Sequence, residues 1–404
     1  MPGDLSTQEN QSGGRQGREG ELTDHNFMEG RVTMGAIEMA AIEDKGSRNW
    51  LSKKSFIAGM AAMFIAIPAH AELVKLGQPA ATTLTFGPIF AAMELGYFKE
   101  ENIELEILDF NGSSTLLPLI ANKTITFGFP GSDPLIVSHQ PGKDPLPMKF
   151  VYNAARKNIW QFVVPAKSPL NSIEDLKGKT IGVAALGNAT VLMTTAMLKE
   201  IGLTAGKDYS FLPIGMGPSA FRATMNGDVD TYNTYDTNIA AFEATGAELR
   251  RLPQPDKFRS LFSNGFVAHN DTIANRPDLI IGFGRAVTKG ILTCEANPDF
   301  CVRTYYKMRP TLKPSGVSDE EALAIGKRTL DSRMESYLSF PAGAPRNFGE
   351  YPEQTWKNHI EVLFEGGVIS TKNIDPSQLY TNAFVEKINN FDVKAVQDRA
   401  KLIH

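Results

Sequence analysis

The stretch Leu73-Val74-Lys75-Leu76-Gly77-Gln78-Pro79-Ala80-Ala81-Thr82-Thr83, followed by the apolar run Pro88 to Leu95 and by Ile103-Glu104-Leu105-Glu106-Ile107-Leu108, decides how the chain is read. Leu73 to Leu76 is a short apolar strand, and Gly77-Gln78-Pro79 turns it into a run of small polar residues. The helix from Pro88 to Leu95 stops at Gly96, because glycine accepts the left-handed cap. Strict alternation from Ile103 to Leu108 puts Ile103, Leu105 and Ile107 on one face of a second strand. Strand, helix and strand at this spacing make a parallel crossover unit. Asn111-Gly112-Ser113-Ser114-Thr115 then leads into the helix Leu116 to Ala121, and Ile125 to Phe129 is a third strand. Loops at the carboxyl ends of such strands are where small molecules bind in open α/β sheets.

The run Gly96-Tyr97-Phe98-Lys99-Glu100-Glu101-Asn102-Ile103-Glu104-Leu105-Glu106, the Gly112-Ser113-Ser114 turn and the apolar strand entering Gly131-Ser132 together resemble a known family. It is that of the periplasmic solute-binding proteins of ABC importers, of the nitrate, sulfonate, taurine and thiamine-precursor type. The resemblance runs from about Leu73 to the C-terminus, and its motifs specify the scaffold better than the ligand. It implies an α/β, two-lobe, type II-like binding protein: two mixed sheets flanked by helices, joined by two crossover segments at a hinge. The partners it implies are a small-molecule ligand and a membrane permease, with the protein itself a monomer.

Upstream, residues 1–47 are rich in Gly, Gln and Glu without a sustained apolar period, and read as a disordered leader. Residues 48–71 combine Arg48, Lys53 and Lys54, an apolar run from Phe56 to Pro68, and Ala69-His70-Ala71, the pattern of a secretory signal. The run is too short to span a bilayer. Translation is expected to begin at an internal methionine such as Met28, Met34 or Met39. No cysteine follows Ala71, so the expected product is periplasmic without a lipid anchor.

Downstream, strands are expected at Lys149 to Tyr152 and Asn158 to Val164. A one-turn helix capped by Ser172 and ended by Gly178 follows. Strand–helix alternation restarts at Thr180, which predicts a second lobe with its own sheet. The expected division is 72–161 plus 267–404 for one lobe and 162–266 for the other. Gln161 to Val164 is read as the outward crossing and Asn264 to Ala268 as the return. The helices Arg276 to Glu295, Cys301 to Met308, Ser318 to Tyr337 and Thr355 to Glu365 are expected to cover the first sheet.

Four loops at strand-to-helix junctions carry small or hydroxyl residues: Gln78 to Thr83, Gly112 to Thr115, Gly131 to Asp133 and Gly187 to Thr190. Free N–H groups at a helix start receive anionic or polar groups. Any one loop is by itself better explained by plain capping, as at Ser113 or Asn188; four in matching positions favour a shared site. Rings at Trp160 and Tyr235 would stack on a flat ligand. The candidate ligand-binding residues are Thr82, Thr83, Gly112, Ser113, Ser114, Ser132, Asp133, Trp160, Gln161, Asn188, Thr190 and Tyr235. Asp236, by the resemblance, caps the next helix. Arg156, Lys157 and Arg222 are the cations nearest this cleft, and such residues are more often solvated.

The chain of 404 residues carries a formal charge of -4, with no strongly one-signed field, so nucleic acid is not an implied partner. His139, His269, His359 and His404 are widely spaced, without a carboxylate at a metal-binding offset, and no catalytic or dinucleotide motif is present. No metal and no cofactor is expected, and a binding protein is preferred over an enzyme. The resembled superfamily includes pyrimidine synthases with a cysteine-rich motif, which this chain lacks before Cys294. A pyrimidine-related enzyme and a ligand-sensing receptor subunit remain the alternatives. Export would allow a small disulfide between Cys294 and Cys301; two buried thiols are the other possibility.

Overall fold

Ten strands form two five-stranded sheets in a computed structural model that describes residues 71–403. The leader 1–47, and the signal segment apart from its last residue, lie outside the described residues. The strands are β1 (Glu72–Gln78), β2 (Ile103–Asp109), β3 (Phe127–Gly128), β4 (Met148–Asn153), β5 (Trp160–Pro165), β6 (Lys179–Val183), β7 (Tyr209–Pro213), β8 (Thr231–Tyr235), β9 (Leu249–Arg251) and β10 (Gly265–His269). The first sheet has the order β2-β1-β3-β10-β4 and the second β7-β6-β8-β5-β9. β1 pairs in parallel with β2, Leu76 opposite Ile107, and with β3; β10 then pairs antiparallel to both β3 and β4. The second sheet repeats this pattern around β6. Each sheet therefore contains one strand that has just arrived from the other, β10 in the first and β5 in the second.

That arrangement moves the crossings. Gln161 to Val164 and Asn264 to Ala268 were expected to be the crossings, but almost all of both segments is paired within sheets. The connecting segments are 154–159 and 252–264. Trp160 and Gln161 thus join the second sheet and Gly265 and Phe266 the first, two residues away from the expected divisions. The crossings are bonded to each other: Ala155 N–H donates to the Asn264 carbonyl at 2.9 Å and Ser263 N–H to the Ala155 carbonyl at 2.8 Å. Unpaired backbone groups would be costly at a buried junction, so each crossing satisfies the other.

Two further corrections are local. Ser172 does not cap the short helix Glu174–Leu176; the Asp175 carboxylate accepts the Asn171 and Ser172 N–H groups at 2.7 and 3.0 Å. Nor do the C-terminal helices cover the first sheet alone. Asp319–Tyr337 packs on Asp236–Glu243, and Glu353–Glu365 packs on Ala189–Glu200, both helices of the second sheet. Single cores consequently run through both halves: Phe150 of β4, Phe162 of β5 and Trp356 share one buried cluster.

Pro277–Ala296 is the helix that closes the first sheet, with Phe283 stacked on Phe127 at 4.0 Å. Cys294 and Cys301 are bonded, their Cα atoms 5.4 Å apart, fastening this helix to Pro298–Met308. A Cβ at Gly290 would fall inside contact distance of the Pro88 carbonyl oxygen, so the helix Gly87–Glu94 crosses here backbone against backbone. Because a carbonyl cannot step aside as a side chain can, Gly290→Ala is expected to lower stability by about 1–3 kcal/mol. A urea midpoint equal to that of the parent would show that the crossing is looser than described.

Candidate functional site

Strand ends of both sheets converge on one hollow lined by Gln78, Pro79, Ala80, Ala81, Thr83, Thr85, Ser113, Phe129, Gly131, Ile159, Trp160, Asn188, Ala189, Tyr235, Asn264 and Arg333. Its cavity volume is about 30 Å³. The hollow is therefore small, with the halves already drawn together. Three contacts draw them: Ser114 N–H donates to the Gly187 carbonyl at 3.2 Å, the Thr85 and Thr237 hydroxyls lie 2.9 Å apart, and Arg333 pairs with Asp236.

Glycine makes the first of these approaches possible. A Cβ on Gly112 would lie 3.1 Å from Asn188 Oδ1, and one on Gly131 only 2.5 Å from the Ala189 Cβ. Gly112 also holds φ at 97°, which side chains rarely adopt. The helix start at Ser114, expected to offer a free N–H to an anion, instead spends that donor across the gap on Gly187.

Of the twelve residues singled out from sequence, Thr83, Ser113, Trp160, Asn188 and Tyr235 line the hollow. Neither Ser113 nor Asn188 is a plain cap: Gly112 is the N-cap of Ser113–Ala121, and Asn188 makes no side-chain capping bond. Trp160 and Tyr235 face each other across the β5–β8 pair, ring centres 5.8 Å apart and nearly perpendicular. Gly112 and Ser114 belong to the contact between halves rather than to the lining.

The other five are otherwise engaged. The Thr82 N–H and hydroxyl donate to the Asp109 carboxylate at 2.9 and 2.7 Å, pinning the loop after β1. The Thr190 hydroxyl donates to Asn233 Oδ1 at 2.8 Å, inside the second sheet's packing. Gln161 accepts from Arg251 at the surface. Ser132 and Asp133 are buried against His359, with Ser132 Oγ 3.4 Å from Nδ1 and Asp133 Oδ1 3.5 Å from Nε2. His359 therefore does have a carboxylate neighbour, 226 positions away in sequence, but none of the three lines the hollow.

Sequence reasoning placed Arg156, Lys157 and Arg222 nearest the cleft, and the structure corrects this. Arg156 donates to the Ser339 and Glu350 carbonyls, Lys157 pairs with Glu335, and Arg222 is exposed. The cation at the hollow is Arg333, near the C-terminal end of the helix Asp319–Tyr337 and 1% exposed. Its Nε and Nη2 donate to Asp236 Oδ1 at 3.1 and 2.5 Å. Burial pushes the Asp236 carboxyl above its ordinary range, against the pull of the guanidinium. Asp236 is thus an ion-pair partner whose Oδ1 also accepts the Thr237 N–H at 2.7 Å in the first turn of its helix, while the N-cap position itself falls to Tyr235, which makes no side-chain bond. Phe129, Ile159 and Asn264 were also missed; each lies inside a segment outlined from the sequence, at Ile125 to Phe129, Asn158 to Val164 and Asn264 to Ala268, but pattern alone does not show which of its residues border the hollow.

A family model described as NMT1/THI5 like matches residues 83–300. The chain is 25% identical over 318 residues to the riboflavin-binding protein RibY of Chloroflexus aurantiacus, covering 78% of this chain and 86% of that one. It is 22% identical to a 4-amino-5-hydroxymethyl-2-methylpyrimidine phosphate synthase of Legionella pneumophila, covering 76% and 91%. Among solved structures, the alkanesulfonate-binding protein SsuA of Xanthomonas axonopodis bound to MOPS superposes with a TM-score of 0.57 at 16% identity, covering 76% and 98%.

Two outcomes follow from the geometry. Gly131→Val should hold the halves apart, because the added side chain meets Ala189, and about 1–3 kcal/mol of overpacking then opposes closure. Ligand affinity should fall by about tenfold or more, with a larger radius of gyration in small-angle scattering; an unaltered radius and affinity would mean the approach at Gly131 is dispensable. The second concerns alkaline pH. Burial raises Tyr232 and Tyr337 to about 12 and Tyr235 further, against an unfolded value near 10. A raised folded value favours the neutral phenol, so this stability is complete below pH ~10 and is lost as pH rises towards 12. Urea midpoints should decline above pH ~10, with a phenolate absorbance step that coincides with unfolding. A complete phenolate titration near pH 10 in the folded protein would contradict the burial of these rings.

Proposed function

This chain belongs to the NMT1/THI5-like family, and from that premise we propose that it captures a small, flat, ring-bearing solute in the hollow between its sheets and delivers it to the permease of an ABC-type importer. The observation that carries this reading is the hollow itself: both sheets contribute lining residues, and three aromatic rings, Phe129, Trp160 and Tyr235, stand around it, where the face of a ring can stack. A ligand touching both halves is bound better when they are shut, so it shifts the opening equilibrium towards the closed form. The two mutually bonded crossings are the natural hinge for that motion. A closed, loaded shape differing from the open one is what a permease would need to distinguish cargo from an empty carrier. The proposed site of action is the periplasm, in keeping with the secretory pattern at 48–71.

Rings of the flavin and pyrimidine kind, named for two of the relatives, would present flat faces to these aromatic walls. The synthase among those relatives raises the alternative of catalysis. No lysine or histidine lines the hollow, and the buried Asp133–His359 pair lies outside it. Binding is therefore the reading adopted.

Thermal unfolding in the presence of flavins, aminopyrimidines, aromatic acids, sulfonates and nitrate tests it. A true ligand at a hundredfold excess over its dissociation constant adds roughly 3 kcal/mol of stability by mass action. Trp160→Ala should reduce the shift, since the removed ring forms one wall. If no ring-bearing compound moves the midpoint, the reading fails.

A further inference from the structure

We propose that Asn264 and Arg333 form a polarity filter in this hollow, selecting an uncharged heterocycle that carries both an N–H donor and an acceptor, and disfavouring solutes that offer acceptors only, such as sulfonates and nitrate. The inference rests on the binding reading above and adds the chemistry of the guest to it.

The first half of the filter is Asn264, at the end of the return crossing and 4% exposed. Its Nδ2 donates to the Phe129 carbonyl at 2.8 Å, while its Oδ1 is buried without any partner in the protein. Turning the amide over would set Oδ1 against the Phe129 carbonyl, oxygen to oxygen, so the orientation is fixed. A side chain that lines the hollow therefore keeps an unanswered acceptor, which only a donor can satisfy. Leaving such a group desolvated and unpaired costs more than a typical hydrogen bond contributes. A sulfonate, whose oxygens only accept, would leave it in that condition.

The second half is Arg333, which has the only charged side chain among the lining residues. Its charge is already balanced by Asp236 through Nε and Nη2, which removes the net field that would draw in an oxyanion. What remains is Nη1, buried and unpartnered, which is a donor in search of an acceptor. Of the helix starts that border the hollow, the one at Ser113 has its Ser114 N–H committed to Gly187. The two unsatisfied atoms thus ask for one donor and one acceptor on the same guest, and neither asks for a charge. A site built to pair with a ligand N–H rejects analogues that lack it.

The test is made first on the ligand, so that its deciding outcomes need no variant. Riboflavin and its N3-methyl derivative, and uracil and 1,3-dimethyluracil as a smaller pair, are titrated into the full chain alongside naphthalene-2-sulfonate. The expected result is that at least one parent heterocycle binds, that its N-methylation weakens binding by about tenfold or more, and that the sulfonate binds more weakly than that parent. Asn264→Leu should then make the parent and its methylated partner bind alike. Tightest binding by the sulfonate, or indifference to methylation, overturns the filter while leaving capture of a ring-bearing solute intact. Failure of every ring compound to bind overturns the binding reading, and the filter with it.

Discussion

The Arg333–Asp236 ion pair is the interaction on which the arrangement of the site depends. Arg333 stands on a C-terminal helix whose Leu330, Met334 and Tyr337 are built into the core of the first sheet, while Asp236 begins a helix of the second. Two charges at this depth are tolerable only together, because removing either leaves the other without compensation in a poorly polarisable interior. The pair's attraction must first offset the desolvation of both charges, so breaking it by removing one partner costs more than its net contribution to stability. Around it the Thr85–Thr237 and Ser114–Gly187 contacts complete the closed arrangement.

Closure and chemistry are consequently linked. The same guanidinium that fastens the halves borders the hollow, and the crossings that would act as hinge end at Asn264, the other unsatisfied group. A solute that answers both atoms would contact the hinge and the fastening at once, which is the condition for a ligand to bias an opening equilibrium. The aromatic walls supply area and shape, and the polar atoms supply orientation, a division common in small-molecule sites.

Local pattern carried the sequence reading a long way in β1 to β3 and in the restart at β6, since strand alternation and glycine stops are short-range properties. Trp160, Tyr235, Ser113 and Asn188 were legible because they sit at strand ends, where ligands gather in such sheets. Thr82, Thr190 and Gln161 resembled them by position, yet their side chains have nearer partners in Asp109, Asn233 and Arg251. No feature of the helix around Arg333 distinguishes it from an ordinary surface arginine; its partner lies 97 residues away. Ser132, Asp133 and His359 make the same point in reverse, a buried cluster assembled from distant positions and kept away from the hollow.

What the sequence determined by itself was the class of fold: period-two strands, capped helices and glycine-bearing junctions repeat twice, and each is set by neighbours a few residues apart. The tertiary structure alone decided where the chain crosses, which helix ends keep free donors and which cation reaches the hollow. Those outcomes depend on how close two backbones can come at Gly112, Gly131 and Gly187, and on which buried charge finds its counterpart, and both are properties of space rather than of spacing along the chain.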